Sequence, residues 1–239
     1  MTGMDLTDRA ALVVGASSGI GRATARALAD EGVRVGLAAR REARLQEVAD
    51  QIEAQGGEAV VVPADVRDQA QVEAMIETTR ERFDGLDILV NSAGVGHQAT
   101  VVDADLNEWR RDIETNLLGM MFASQLAATV MFDQSSGHIV TISSVAGRKP
   151  YPGIGGYTAA KFGITGFSKT LREEVMEEGV RVTLIEPGVV DTSLQPDEVR
   201  ELEGILDPAD VAAAVVYAVS QPAHVNVNTI QLQETTNLV

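Results

Sequence analysis

Tyr157 and Lys161 stand four residues apart in the run Gly155-Gly156-Tyr157-Thr158-Ala159-Ala160-Lys161. On a helix that spacing stacks two side chains on one face, so an ammonium can sit beside a phenol. A free tyrosine titrates at a pKa of about 10, and a nearby positive charge favours its phenolate, which brings proton exchange toward neutral pH. The spacing also arises by chance in any helix of ordinary composition, so the pair alone defines no site. Ser144 lies thirteen residues before Tyr157. It ends an apolar run (Ile139, Val140, Ile142) that reads as a buried strand stopping at Ser143 and Ser144. A hydroxyl at the carboxyl end of such a strand opens into the crevice where α/β sheets take ligands, although serine-rich turns are common loop chemistry too.

The elements that must position these side chains alternate along the whole chain. The strands are expected at Ala10 to Val14, Val33 to Ala38, Ala59 to Val62, Leu86 to Val90, His138 to Ile142, Arg181 to Ile185 and Thr229 to Leu232. Helices fall between them at Ile20 to Asp30, Glu42 to Ala54, Gln69 to Arg82, Leu106 to about Met131, Tyr157 to Glu177 and Ala209 to Ser220. Strict alternation implies parallel strands joined by right-handed crossovers with helices on both faces. The expected fold is therefore α/β, a doubly wound parallel sheet of the Rossmann type in three layers, with about seven strands in one domain over residues 1–239.

Between the first strand and the first helix stands Val14-Gly15-Ala16-Ser17-Ser18-Gly19-Ile20-Gly21. Glycines let the backbone turn tightly and approach a pyrophosphate, to which the helix amino terminus offers free N–H groups and a partial positive charge. A position directly after a strand and opening a helix is the context such a loop requires. The spacing is Gly-x-x-x-Gly-x-Gly, a departure from the commoner Gly-x-Gly-x-x-Gly.

With these motifs in order, the sequence resembles the short-chain dehydrogenase/reductase family in its single-domain form, over nearly the whole chain. Gly15, Gly19 and Gly21 match its cofactor loop, with Val14 where a threonine is usual. Asn91-Ser92-Ala93-Gly94 is similar to its Asn-Asn-Ala-Gly element, with serine for the second asparagine. Asn116 matches the family's active-site asparagine, and Ser144, Tyr157 and Lys161 its catalytic serine, tyrosine and lysine. Pro187-Gly188-Val189-Val190-Asp191-Thr192 matches the segment that embraces the nicotinamide. The resemblance implies hydride transfer between a nicotinamide and a carbonyl carbon, with Tyr157 as acid or base and Ser144 bonded to the substrate oxygen. Lys161 would lower the phenol's pKa and bind the ribose. Asn116, a poor helix former in mid-helix, would mark a break that holds a proton-relaying water; otherwise it is a tolerated polar residue. The cofactor set implied is Gly15, Ser17, Ser18, Gly19, Ile20 and Gly21, then Arg40, Arg41, Asp65 and Val66, then Asn91, Ala93 and Gly94, with Tyr157, Lys161, Pro187, Gly188, Val190 and Thr192.

The end of the second strand separates NADP(H) from NAD(H). An acid there would bind the ribose 2′-hydroxyl, whereas arginine accommodates a 2′-phosphate. The chain reads Leu37-Ala38-Ala39-Arg40-Arg41. Without an acid, and with two arginines opposing the dipole of the helix they begin, NADP(H) is favoured over NAD(H). A solvated surface pair is the bland alternative. Asp65 would by resemblance take the adenine amine; otherwise it is a turn residue.

Substrate identity is less legible. Leu194, Val199, Leu202, Ile205 and Leu206 are spaced for a short amphipathic helix, so residues 192–207 are expected to form a lid over the site or an ordinary surface helix. By position, Val95, Gly96, His97, Val145, Tyr151, Ile154 and Val189 fall near the substrate, and His97 reads equally as a surface histidine. A small or medium carbonyl or secondary alcohol is the expected substrate class.

Composition narrows the field further. The formal net charge of −16 and the lack of a basic stripe argue against nucleic acid. Without cysteine there is neither a disulfide nor a thiolate metal site, and His97, His138 and His224 show no ligand spacing, so no metal is expected. No stretch reads as membrane-spanning and Met1 to Asp8 lack signal-peptide character, so no membrane partner and a cytoplasmic location are expected. Lys149, Lys161 and Lys169 are the only lysines against sixteen arginines, which makes the one at catalytic spacing less accidental. Apolar excess on the helices bearing Asn116 and Tyr157 points to a homo-oligomer, a dimer or tetramer, and the resemblance makes a homotetramer the expected form. Two other classes remain: a noncatalytic NADP-binding sensor or scaffold, and a lyase or dehalogenase on the same scaffold. The first has little use for the four catalytic types together, and the second should lack the glycine loop. An NAD-preferring alcohol dehydrogenase is the nearer alternative.

Overall fold

The computed structural model describes residues 4–235. The expectations for residues 1–3 at the amino terminus and 236–239 at the carboxyl terminus fall outside the described residues. Seven parallel strands form one sheet in the order β3-β2-β1-β4-β5-β6-β7. They are β1 Ala10–Val14, β2 Arg34–Ala39, β3 Ala59–Pro63, β4 Ile88–Asn91, β5 Gly137–Ile142, β6 Val180–Pro187 and β7 Thr229–Leu232. The order reverses between β1 and β4, and at such a switch point the crevice beyond the strand ends is open to a ligand.

Two hydrophobic layers sandwich the sheet because its central strands are apolar on both faces. Helices α1 Gly19–Asp30, α2 Glu42–Glu53 and α8 Pro208–Val219 cover one side, burying Leu28, Leu45, Val48 and Val215 against Val13, Val35 and Val90. The other side carries α3 Gln69–Phe83, α5 Gly119–Gln134 and α6 Gly155–Val175, with Met75, Ala123, Met131 and Leu171 packed on Leu12, Leu89 and Ile139. Burying a side chain of this size contributes about 1.5–3 kcal/mol, so these layers dominate the stability of the scaffold.

Most expected boundaries differ from the observed ones by one or two residues, for local reasons. Strand β4 starts at Ile88 because the Gln134 side chain binds the backbone of Leu86 at both N–H and C=O, each at 3.0 Å. Strand β6 runs on to Pro187 because Pro187 stands opposite Leu232 of β7.

Three corrections are larger. The long helix expected from Leu106 is interrupted: α4 Leu106–Asp112 passes into a π-helical turn, Ile113–Leu118, before α5 resumes. The whole run Leu106–Gln134 is also long and apolar enough to span a membrane by length and composition alone, contrary to expectation. In this fold its apolar face is used internally, with Met120, Ala123, Ala127 and Met131 buried. The expected lid helix shrinks to one turn, α7 Asp197–Arg200. Its downstream half is held by backbone pairing instead: Leu206 donates to Val189 O at 2.9 Å and Asp191 donates to Leu206 O at 2.8 Å.

Candidate active site

The glycine loop is built for close approach. Gly15 has φ +92°, and a Cβ there would lie 2.6 Å from Ala93 N. At Gly21 a Cβ would lie 2.3 Å from Gly15 O, so the first turn of α1 packs directly on the loop that precedes it. Nothing caps that helix: Ser18 makes no side-chain cap bond and the first turn holds no acid. Its free amides therefore point at the cleft with the positive end of the helix dipole, a fit for a pyrophosphate.

The cleft encloses about 240 Å³ and runs across the carboxyl ends of the strands. At one end stand Arg40, Arg41, Asp65 and Val66, in the middle the loop residues Gly15, Ser17, Ser18, Gly19, Ile20 and Gly21, and at the other Ser144, Tyr157, Lys161, Pro187, Gly188, Val190 and Thr192. Ala93 and Gly94 line the wall below. The glycine loop in the middle closes on the far end, since a Cβ at Gly19 would meet Thr192 Cγ2 at 3.1 Å. This is a cradle of the length and polarity a dinucleotide needs.

Asn91 and Asn116 belong to the site's frame and not to its lining. Asn91 is buried and donates to Ser124 Oγ at 3.0 Å, fixing β4 to α5. Asn116 sits inside the π turn, where its Nδ2 donates to Val95 O and to Asp112 O, both at 2.8 Å, and its Oδ1 accepts from Val95 N at 3.1 Å. A π turn frees a carbonyl that the regular ladder would have used, and the side-chain amide takes it. The reading of Asn116 as a helix break thus holds, and its side chain clamps the loop after β4 to that break.

Tyr157 and Lys161 do meet on one face of α6, with the lysine Nζ 5.4 Å from the centre of the tyrosine ring. Their electrostatics reverse the expectation. Burial pushes the Tyr157 phenol up to about 12, with Ser144 pulling it down by hydrogen bonding and the Asp112 carboxylate pushing it further up. Burial likewise pulls the Lys161 ammonium down to about 8. The amine is turned to the backbone, donating to Ile142 O at 2.9 Å. Spacing identified the neighbours, but both charged forms lose hydration in the same pocket, which favours the neutral form of each.

At the far end, Arg41 and not Arg40 makes the defining contacts: its Nη2 donates to Ser17 Oγ at 3.0 Å and Ser18 Oγ at 2.8 Å. Arg40 lines the cleft beside it. The Asp65 carboxylate is held by Arg67, with Nη2 at 2.6 Å, and this bond keeps it below the usual carboxylate range.

Of the residues expected near the substrate, Val95 lines the cleft, whereas Gly96, His97, Val145, Tyr151, Ile154 and Val189 do not. Gly96 nonetheless lies close to the tyrosine: a Cβ there would be 3.3 Å from Tyr157 Cδ2. Leu194, expected in the lid, lines the cleft together with Ser193 and Gln195 of the same segment. Sequence reasoning missed Thr115, which carries no signal beyond its place beside Asn116.

Fold and site together define a nicotinamide-type oxidoreductase scaffold, and comparison with known proteins agrees. Residues 9–203 match the family described as short chain dehydrogenase, and the chain belongs to that family. An uncharacterised oxidoreductase of Staphylococcus aureus strain MW2 is 40% identical over 228 residues, covering 95% of this chain and 98% of the relative. A dehydrogenase/reductase from Sinorhizobium meliloti 1021 superposes with a TM-score of 0.88 at 32% identity, covering 97% of this chain and 96% of that one. A short chain dehydrogenase from Burkholderia cenocepacia J2315, solved in complex with NADP, gives 0.88 at 30% identity, with 96% and 98% covered.

Proposed function

We propose that the chain is an NADP(H)-dependent oxidoreductase acting on a small or medium carbonyl or secondary alcohol. The observation that carries this is the convergence of Ser144, Tyr157 and Lys161 at one end of a cleft whose other end presents Arg41 beside a glycine-rich, uncapped helix terminus. Bound with its nicotinamide near Tyr157, the coenzyme supplies or accepts the hydride.

The protein's own groups handle the proton. As hydride reaches the carbonyl carbon, negative charge grows on the oxygen, and the Tyr157 hydroxyl transfers its proton there. Ser144 donates a hydrogen bond to the same oxygen and fixes its place. In the oxidative direction Tyr157 takes the alcohol proton. Lys161, poised at about 8, binds ribose hydroxyls and stabilises the phenolate. Asn116 keeps the π turn open beside them.

Coenzyme preference follows from charge. Strand β2 ends at Ala39 without a carboxylate. The Arg41 guanidinium reaches Ser17 and Ser18 at the rim, which together suit a 2′-phosphate. The NADP complex of the Burkholderia relative supports this choice over NAD(H). Residues 192–207 are the lid of this site, with Leu194 and Gln195 on the cleft wall and Arg200 tied to Asp191 at 2.8 Å. Exposed Leu118, Phe132, Phe162 and Met176 on and beside the long helices support a homo-oligomer.

The test is a panel of carbonyls with NADPH and with NADH, followed by nicotinamide absorbance. Turnover with NADPH that disappears in Tyr157→Phe is expected. Undiminished turnover in that variant would remove the tyrosine from the mechanism.

A further inference from the structure

Beside the tyrosine lies a titratable cluster that the hydride chemistry does not use. The Asp112 side chain, at the end of α4, is fully enclosed, and its Oδ1 lies 2.7 Å from His97 Nδ1. The other ring nitrogen of His97 faces Glu108 Oε2. Glu108 in turn pairs with Arg111 at 3.2 Å. The imidazole is therefore held between two carboxylates one turn apart on the same helix.

The cluster is wired to the site. Asp112 Oδ2 is buried without a hydrogen-bond partner, and it lies 2.9 Å from where a side chain on Gly156 would begin. Gly156 immediately precedes Tyr157. Asn116 closes the loop from the other side, bonding the backbone of both Val95 and Asp112. A buried carboxylate with one free oxygen, one residue from the proton-transferring phenol, is costly unless its charge does something there.

We propose that the Asp112 carboxylate, held in place by its hydrogen bond with His97, sets the proton affinity of Tyr157. The inference rests on the reading of Tyr157 as the proton-transferring group. The Asp112 carboxylate disfavours the phenolate and so adds to burial in raising the phenol. Burial raises Asp112 itself, and His97 opposes that rise. The charged and titratable groups around the pair and the phenol are Glu108 and Arg111 on α4, Tyr157 and Lys161 on α6, with the Ser144 hydroxyl at the end of β5. The His97–Asp112 contact ties the loop after β4 to the carboxylate beside the phenol.

Two substitutions in the cluster separate charge from structure. Asp112→Asn keeps the shape and removes the negative charge, so the rising limb of alcohol oxidation against pH moves down by about one pH unit, a rate gain of about tenfold at fixed pH below the limb. His97→Gln keeps a side-chain N–H for Asp112 Oδ1 and leaves the carboxylate in place, so the limb is expected to stay where it is. The same pattern is expected in the ring-carbon NMR titration of Tyr157, assigned by its loss in Tyr157→Phe. A limb and a titration that fail to fall in Asp112→Asn, or that fall as far in His97→Gln, overturn the proposal. Wild-type protein without turnover on any alcohol would sink the parent reading instead, and the tyrosine titration would still decide this one.

Discussion

Lys161→Met should turn a pH-dependent stability into a flat one. Lys161 is 5% exposed, and burial holds its ammonium at about 8 against an ordinary 10.5. The folded value lies below the unfolded one, so between these two the unfolded chain binds more protons. Stability therefore rises with pH across that window and is lost as pH falls through about 8. At 1.36 kcal/mol per pH unit of difference, confining the charged amine costs the fold about 3 kcal/mol at neutral pH. Tyr157 acts with the opposite sign, its folded value of about 12 lying above the ordinary 10. Its contribution is complete below 10 and fades as pH rises through about 12, which leaves the interval from 8 to 10 to the lysine. Methionine fills nearly the same volume without charge, so the variant should be more stable than wild type near pH 7 by up to about 3 kcal/mol. That excess should shrink steadily toward pH 10. The assay is the urea midpoint at a series of pH values, at fixed protein concentration because association would also shift it. Parallel curves for the two proteins would refute the desolvated ammonium and with it the account of why this pair titrates as it does.

Asn116→Ala should cost about 3 kcal/mol in urea unfolding, because three buried or part-buried backbone groups on Val95 and Asp112 lose their partner at once. The loss should exceed that of Ser124→Ala, which removes a single bond to Asn91. Arg41→Gln should raise the KM for NADPH about tenfold and leave that for NADH unchanged, since only the phosphorylated ribose uses the guanidinium. Steady-state kinetics with both coenzymes decide it, and equal effects on the two would remove Arg41 as the selector.

Much of the molecule was legible because the signals were local. Alternating apolar runs located all seven strands, and the glycine spacing placed the loop where the structure has it. Ser144, Tyr157 and Lys161 meet in the cleft as their spacing implied. What the local pattern left undetermined shares another origin. The π turn at Ile113–Leu118 depends on Asn116 reaching Val95, a contact across twenty-one residues that no helical period contains. The lid's lost helix depends on Leu206 pairing with Val189, again outside any local pattern. The choice of Arg41 over Arg40 at the loop turned on which side chain faces Ser17, and adjacent residues give no periodicity from which to read that.

The tyrosine and lysine show most clearly what spacing leaves undetermined. Four residues on a helix dictate adjacency but not the sign of the effect, because the sign depends on how much water each group keeps. With both enclosed, burial favours the neutral phenol and the neutral amine together. A phenol held protonated is a ready donor to a nascent alkoxide, so this environment suits reduction of a carbonyl near neutral pH as it stands. Oxidation needs the phenolate, and every negative charge near the ring works against it. Asp112 is such a charge, and it shares a cluster with His97, Glu108 and Arg111. The balance between the two directions of reaction is thus expected to lie with residues outside the Ser144, Tyr157 and Lys161 constellation, in the charges that border the tyrosine without touching substrate.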